Sequence, residues 1–221
     1  MNNLTEDNFG QSWHDGTMKD DKPRHLKITE PSPWVVRFAP LVKPGGEVLD
    51  LACGGGRHGR YLLERGGNVT LLDRNTGAVG DLQDHPNASV IEADMEQGDP
   101  VFTGHGPLAG RNFDGVVVVN YLYRPLLGDL LSAIKPGGVL IYETFARGNE
   151  RFTRPRNPDH LLMSGELLEI VKGRMQVVAY EHGIVEKGPI PGVIQRICAV
   201  SDASPSTRED GEPEPRNVNP L

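Results

Sequence analysis

The sequence has few of the features that mark secreted, membrane-spanning or nucleic-acid-binding proteins. It contains two cysteines, too few for a framework of disulfides, so a reduced, cytoplasmic protein is the simplest interpretation. Its start is polar and acidic, which predicts no secretory signal, and its longest apolar run, around 116–119, is too short to cross a bilayer. The formal net charge of -7 argues against an extended nucleic-acid-binding face, although it leaves room for a local basic pocket.

The histidines suggest no metal site. His25, His58, His105 and His182 stand at no ligand spacing relative to the cysteines or to acidic residues. We therefore expect no bound metal. The short apolar runs and the negative net charge further predict no membrane partner and no nucleic-acid partner, and the oligomeric state stays open.

The length of 221 residues fits one domain with extensions. Residues 1–30 are polar and predict an N-terminal arm, which either stays loose or folds over a ligand, because Trp13 is costly to leave in solvent. Residues 31–202 predict the globular domain. Residues 203–221 are rich in proline and acidic residues and predict a disordered tail.

Apolar runs and helical patterns alternate along the domain, which predicts an α/β fold. Strands separated by helices form a doubly wound parallel sheet with helices on both faces, and the last two strands most simply form an antiparallel pair. The weak helical pattern at 76–83 is broken by two glycines. The predicted strands are 48–51, 69–73, 89–93, 113–119, 139–143, 175–184 and 193–200, and the main helices are 57–65, 125–133 and 166–171.

A glycine-rich turn joins the first strand to its helix. Gly54, Gly56 and Gly59 have the spacing that lets an adenosine ligand approach a helix start, but dinucleotides and other ligands share this pattern. Asp50, just before the turn, would repel a pyrophosphate. It would attract the ammonium and sulfonium of S-adenosylmethionine by roughly 4 kcal/mol at about 4 Å. The acid therefore favours S-adenosylmethionine, although it can also serve as a structural acceptor for the loop amides.

A polar side chain lies at the carboxyl end of each of the first five predicted strands. Ligands of such sheets bind outside the carboxyl ends of the strands, so one cleft should contain Asp50, Asp73, Asp94, Asn120 and Glu143. Asp73 follows Gly54 by 19 positions, near the spacing at which an acid binds ribose hydroxyls. Asp94 can accept a hydrogen bond from the adenine amino group. Either acid can instead be a turn residue.

The segments VLDLACGGGRHGRYL, VTLLDRN, IEAD, FDGVVVVNYLYRPLL and IKPGGVLIYETF resemble those of the class I S-adenosylmethionine-dependent methyltransferases. Within that class, DLACGGGRHGRYL and the segment YETFARGNERFTRPRNPDHLLMSGELL are similar to the tellurite-resistance-type enzymes. The resemblance implies a Rossmann-like, seven-stranded, mostly parallel sheet with an antiparallel final strand. It also implies a cofactor set in which the glycine loop wraps the methionine part, Asp73 holds ribose and Asp94 meets adenine. That set is Asp50, Ala52, Cys53, Gly54, Gly56, Asp73, Arg74, Asp94, Met95 and Asn120.

The end of the fourth strand bears on the methyl acceptor. It lacks the Asn/Asp-Pro-Pro-aromatic segment that enzymes methylating base amines often carry, which favours another small-molecule acceptor. A thiolate or oxyanion needs no general base. For a hydroxyl or an amine, the candidate bases are Tyr121, Tyr123 and Glu143, and the sequence does not choose among them.

The insertion at 145–163 is rich in arginine within an acidic protein. We expect it to cover the cleft mouth and to recognise an anionic acceptor such as a thiol, oxyanion or carboxylate. The predicted substrate residues are Tyr121, Arg124, Arg147, Arg151 and Arg154. The alternatives are a solvated surface loop and an RNA-contacting patch. Three rival functions remain. They are an RNA methyltransferase, an NAD-dependent oxidoreductase and a protein that binds the cofactor without turnover.

Overall fold

A computed structural model of the protein describes residues 24–186, 190–201, 208–210 and 212–219. Its centre is one seven-stranded sheet in the order β3-β2-β1-β4-β5-β7-β6. Strand β7 runs antiparallel to both of its neighbours, and the other pairs are parallel. This confirms the predicted α/β fold and its antiparallel final strand. The strands are β1 (Glu47–Leu51), β2 (Asn68–Asp73), β3 (Ala88–Glu92), β4 (Phe113–Val119), β5 (Ile134–Phe145), β6 (Met175–Val185) and β7 (Gly192–Ser201).

The helices are short. The α-helices are α1 (Pro33–Phe38), α2 (Arg57–Glu64), α3 (Leu127–Ser132) and α4 (Glu166–Val171). The pattern at 76–83 forms a 3-10 helix, Gly77–Leu82, rather than an α-helix, and the predicted helix 125–133 divides into a 3-10 turn, Arg124–Leu126, and α3. Glycine weakens regular helix, which accounts for the first difference. The remaining 3-10 turns are Arg24–Lys27, Ala39–Leu41, Asn149–Arg151 and Pro158–His160.

Strand β4 lies at the centre of the sheet and is buried along its whole length. Its side chains alternate between two hydrophobic clusters, as a strand covered on both faces requires. Val117 packs with α1, α2 and the 3-10 turn at 77–82. Val116 packs with α3, α4 and the irregular segment 98–112, which contributes Phe102 and Leu108.

The predicted turn at 135–138 lies inside strand β5. Pairing with β4 moves from Phe113–Ile134 to Gly115–Val139, so the four residues between form a bulge. Gly137 has a φ of +74°, which only glycine adopts without strain. The expected start of this strand at residue 139 is therefore corrected to Ile134.

The two chain extensions are described only in part. Trp13, on which the predicted arm depends, lies outside the described residues. The described part of the tail lies against the domain: Arg37 donates from Nε and Nη2 to the Val218 carbonyl, at 3.2 and 3.0 Å. The disorder predicted for residues 203–221 stays a prediction. No helix among the described residues has both the length and the apolar character needed to cross a bilayer.

Candidate active site

The glycine loop between β1 and α2 has a left-handed backbone. Ala52, Gly54 and Gly56 have φ values of +56°, +54° and +71°. A Cβ on Gly56 would lie 2.5 Å from Val79 Cγ1, so no larger residue fits there. The loop is fixed to the neighbouring strand because the Cys53 amide donates to the Leu72 carbonyl at 3.1 Å.

Asp50 lies beneath this loop and is 1% exposed. Its Oδ2 accepts a hydrogen bond from the Gly59 amide at 2.8 Å. Burial raises the pKa of Asp50 to about 7, although the bond from Gly59 and the charge of Arg57 act in the opposite direction. The carboxyl therefore has the structural role that we considered as the alternative. Asp50 could attract the positive charges of a ligand only through the loop that covers it, and this cofactor-binding role of Asp50 stays a prediction.

Asp73 joins the end of β2 to the glycine loop. Its Oδ2 accepts from the Gly54 amide at 2.9 Å and its Oδ1 accepts from the Asn75 amide at 3.1 Å. The predicted ribose residue and the predicted methionine-binding loop are thus in direct contact. Arg74 follows Asp73 and is exposed.

The ends of β3, β4 and β5 lie at the same edge of the sheet. Asp94 has the geometry of a turn acid, since its Oδ1 accepts from the amides of Glu96 and Gln97 at 2.9 and 3.1 Å. Met95 packs against the same cluster as Tyr121. Asn120 has a φ of +59°, and its backbone N–H donates to the Glu143 backbone carbonyl at 2.9 Å.

Tyr121 and Tyr123 lie on the β3 side of this edge. The Tyr121 hydroxyl is buried and has no hydrogen-bond partner among the described residues. Burial, together with the charge of Glu96, raises the pKa of Tyr121 well above its usual range. The Tyr121 phenol consequently stays protonated near neutral pH, so it is a poor general base there but keeps an O–H that can donate a hydrogen bond. The Tyr123 hydroxyl lies 3.5 Å from the Glu96 carbonyl oxygen.

Glu143 belongs to a polar network that the sequence did not reveal. Its Oε1 accepts from the Ser32 hydroxyl at 2.9 Å, and its Oε2 lies 3.2 Å from Nη1 of Arg196. The Arg196 guanidinium also stacks over the ring of Trp34, 4.8 Å from its centroid. Both carboxylate oxygens of Glu143 therefore have partners within the protein.

Arg57 is a second residue that sequence reasoning missed. It is the first residue of α2, and its Nη1 donates to the Glu30 carbonyl at 2.9 Å. The segment before α1 crosses the loop here, since a Cβ on Gly55 would lie 3.7 Å from Leu26 Cδ2. A basic residue directly after a glycine turn was the available signal. The sequence gave no comparable signal for Ser32 and Arg196, because they lie 111 and 53 positions from Glu143.

The insertion after β5 folds around Asn149, which is fully buried. Its Nδ2 donates to the carbonyls of Thr153 and Pro155, at 3.3 and 3.1 Å, and the segment closes where the Arg147 amide donates to the Leu162 carbonyl. Four arginines of the segment are exposed and have no side-chain hydrogen bond or ion pair among the described residues; they are Arg147, Arg151, Arg154 and Arg156.

Arg124, also predicted to bind substrate, has partners within the protein. Its Nε and Nη2 donate to the two Glu166 carboxylate oxygens at 2.6 and 2.9 Å. Nη1 and Nη2 donate further to the carbonyls of Asp159 and Leu161 at 2.6 and 2.9 Å. Most of its donors are used in this way, and its substrate role stays a prediction.

The chemistry of this edge fits S-adenosylmethionine. The loop offers the backbone of three successive glycines, Asp94 keeps one carboxylate oxygen without a partner among the described residues, and the buried Tyr121 hydroxyl has no hydrogen-bond partner there. The described residues contain no cluster of three or more histidine, cysteine or acidic side chains able to hold a metal ion.

Comparison with known proteins finds a match for the central part of the chain. Residues 48–138 match the family model described as a methyltransferase domain. Malonyl-acyl-carrier-protein O-methyltransferase of Pectobacterium atrosepticum is 31% identical over an alignment of 133 residues, and the match covers 51% of this chain and 49% of the relative. The chain thus spans about half the length of the curated relative that it matches.

Several solved structures share the fold. TehB from Haemophilus influenzae has a TM-score of 0.59 at 22% identity, over 76% of this chain and 61% of TehB. The N-methyltransferase NodS from Bradyrhizobium japonicum, in complex with S-adenosylhomocysteine, has a TM-score of 0.57 at 16% identity, over 80% of this chain and 95% of NodS. The 1,6-didemethyltoxoflavin-N1-methyltransferase of Burkholderia thailandensis, also bound to S-adenosylhomocysteine, has a TM-score of 0.55 at 18% identity, over 77% of each chain. At these identities, the likeness establishes the fold.

Proposed function

We propose that the chain is a class I S-adenosylmethionine-dependent methyltransferase and that it transfers the methyl group of this cofactor to a small-molecule acceptor. The contact between Asp73 and the Gly54 amide carries the proposal. It brings an acid suited to ribose hydroxyls against a loop suited to the methionine part, inside the segment that matches a methyltransferase domain.

S-adenosylmethionine, when bound, supplies a methyl group on a positively charged sulfur. In-line displacement transfers this methyl group to the acceptor, and S-adenosylhomocysteine is the leaving group. The residues of the chain have to hold acceptor and cofactor in line and keep water out. Positioning of this kind can contribute up to roughly 7–11 kcal/mol of the barrier. Tyr121, whose raised pKa keeps it protonated, would orient the acceptor by donating a hydrogen bond. Both carboxylate oxygens of Glu143 have partners in Ser32 and Arg196, so a proton-accepting role for Glu143 stays a prediction.

Calorimetric titration tests the cofactor. We expect the wild-type protein to bind S-adenosylmethionine and S-adenosylhomocysteine at micromolar concentrations and not to bind NADH. Asp73→Ala should weaken both complexes at least tenfold, since it removes the proposed ribose acceptor and loosens the loop. Thermal melts of the variant separate lost binding from lost folding. Binding of NADH alone would contradict the proposal.

We further propose that the acceptor is anionic and is bound by the arginines of the insertion. Arg147, Arg151 and Arg154 are exposed and lack side-chain partners among the described residues, on a segment that starts at the carboxyl end of β5. Such guanidinium groups are suited to carboxylates, other oxyanions and thiolates.

Arg151→Ala combined with Arg154→Ala tests the anionic acceptor. Once an acceptor is found by screening thiols, oxyanions and small carboxylates, the double variant should raise its KM about tenfold while leaving calorimetric binding of S-adenosylhomocysteine unchanged. The matched control is Arg208→Ala with Arg216→Ala in the tail. Unchanged kinetics would exclude the arginines from substrate binding.

RNA is the second candidate acceptor, supported by the same arginines. A filter-binding titration with total RNA in a salt series addresses it. RNA binding through phosphates should weaken steeply between about 50 and 200 mM salt. Such binding, lost in the double variant, would favour RNA over a small molecule.

A further inference from the structure

The amino-acid end of the proposed cofactor carries a carboxylate as well as an ammonium, so its site needs a cation. The described residues around the glycine loop offer one suitable group. Arg57 lies directly after the loop, and a single hydrogen bond, from Nη1 to the Glu30 carbonyl at 2.9 Å, occupies its guanidinium. The Nε and Nη2 groups have no partner among the described residues.

The charged groups near Arg57 leave its guanidinium available to an anion. Burial lowers the pKa of the guanidinium, whereas the charges of Glu143 and Asp50 act in the opposite direction. Glu143 already has partners in Ser32 and Arg196, so it does not occupy the Arg57 donors. The carboxylate of an α-amino acid end is complementary to such a guanidinium.

The position of Arg57 differs from that of Arg60, one turn along the same helix. Arg60 directs its guanidinium to Asp81, with both distances at 2.7 Å, in an exposed bidentate pair. Arg57 has no carboxylate in direct hydrogen-bond contact among the described residues. It is therefore the arginine of α2 with donors available for a ligand.

We propose that Arg57 binds the carboxylate of the cofactor's amino-acid end and makes the protein selective for ligands that carry this carboxylate. The assignment rests on the proposed function. The assignment adds Arg57, on α2, to the cofactor residues. The set predicted from the sequence did not include it.

Three ligands separate the groups involved. S-adenosylhomocysteine has the whole amino-acid end, its decarboxylated analogue keeps the ammonium but lacks the carboxylate, and 5′-methylthioadenosine lacks both. Calorimetry should compare all three on the wild-type protein, on Arg57→Met and on Arg57→Lys. Arg60→Met is the control, because it removes the same charge from the same helix.

The wild type should bind S-adenosylhomocysteine about 10- to 100-fold more tightly than the decarboxylated analogue, the range expected for charge-assisted hydrogen bonds. Arg57→Met should remove this preference and change binding of 5′-methylthioadenosine less than about threefold, while Arg57→Lys should keep part of the preference. Arg60→Met should behave as the wild type does.

Two results would overturn the assignment. One is an Arg57→Met protein that retains the preference for the carboxylate. The other is an equal loss of affinity for all three ligands, which would mean that Arg57 only supports the loop or the segment that contains Glu30. A wild-type protein that binds none of the three ligands would instead contradict the proposed function itself.

Discussion

Asp50 and His58 are two ionisable side chains buried beside the glycine loop. Burial raises the pKa of Asp50 to about 7 and lowers the pKa of His58 to about 3. Each group therefore prefers its neutral form in the folded protein. The His58 Nε2 also has no hydrogen-bond partner among the described residues. The support of the glycine loop should consequently depend on pH in two opposite ways.

The Asp50 contribution can be isolated with Asp50→Asn. Between about pH 4 and pH 7 the folded protein keeps the Asp50 proton and the unfolded chain has released it, so unfolding free energy falls as pH rises, by at most about 1.4 kcal/mol per pH unit. The variant lacks this titration but keeps an oxygen that can accept from the Gly59 amide. Its stability relative to the wild type should therefore increase from pH 4.5 to pH 7.5.

Urea denaturation of both proteins without cofactor, at several pH values, measures this difference. The contribution of His58, which is lost as pH falls below its ordinary range, is the same in both proteins and cancels. A stability difference independent of pH would contradict the raised pKa of Asp50.

At the scale of elements, the carboxyl end of β4 is fastened to α4 and to the end of the insertion. Arg124 makes this connection through Glu166 and through the carbonyls of Asp159 and Leu161. The Met163 amide also donates to Glu166 at 2.6 Å. The insertion is thus anchored at its carboxyl-terminal end, whereas its arginines lie on the exposed part.

Arg124→Met and Glu166→Gln should show that these two side chains act together. Each single variant should lose about 1–3 kcal/mol of unfolding free energy, and the double variant should lose less than the sum, because the charge-assisted pair is lost only once. Chemical denaturation of the four proteins gives the coupling.

The same variants decide whether Arg124 also binds substrate. If its role is to hold α4, both single variants should leave the acceptor KM within about twofold of the wild type. A KM increase confined to Arg124→Met would instead support the substrate role predicted from the sequence.

At the scale of the whole molecule, burial decreases from the middle of the sheet to its edges. Strand β4 is buried at every residue, whereas β3 and β6 expose several side chains and pair with a single neighbour. Backbone amides open most readily where few contacts hold them. Local stability should follow the strand order.

Hydrogen exchange measured by mass spectrometry tests this gradient. Peptides from β1 and β4 should exchange most slowly, close to the rate set by global unfolding, and peptides from β3 and β6 should exchange at least tenfold faster. Equal protection of β3 and β4 would mean that the sheet opens only as a unit.

The sheet could be predicted from the sequence because its strands are short apolar runs separated by glycine and proline. The run at 113–119 is found unchanged as β4. The contact of Asp73 with the glycine loop was predictable in kind, since the strand-end rule brings those residues together. The bulge at 135–138 was not, because the sequence Lys-Pro-Gly-Gly is equally typical of a turn.

Polar contacts between distant segments were beyond sequence reasoning. Ser32, Glu143 and Arg196 share no local pattern, and a carboxylate at a strand end does not reveal which partners will hold it. Arg124 was assigned to substrate for the same reason, because the sequence gives no sign of Glu166 as its neighbour.

The two buried thiols provide natural reporters of motion. Cys53 lies in the glycine loop and Cys198 in the centre of β7, and both are shielded from solvent. Burial raises the pKa of Cys198 to about 12 and that of Cys53 further still, so neither forms the reactive thiolate in the folded state. Iodoacetamide can therefore alkylate each thiol only when the surrounding structure opens. Local opening of the loop is enough to expose Cys53, whereas the sheet has to open to expose Cys198. Labelling rates at the two positions would separate local opening of the loop from unfolding of the sheet without an engineered cysteine.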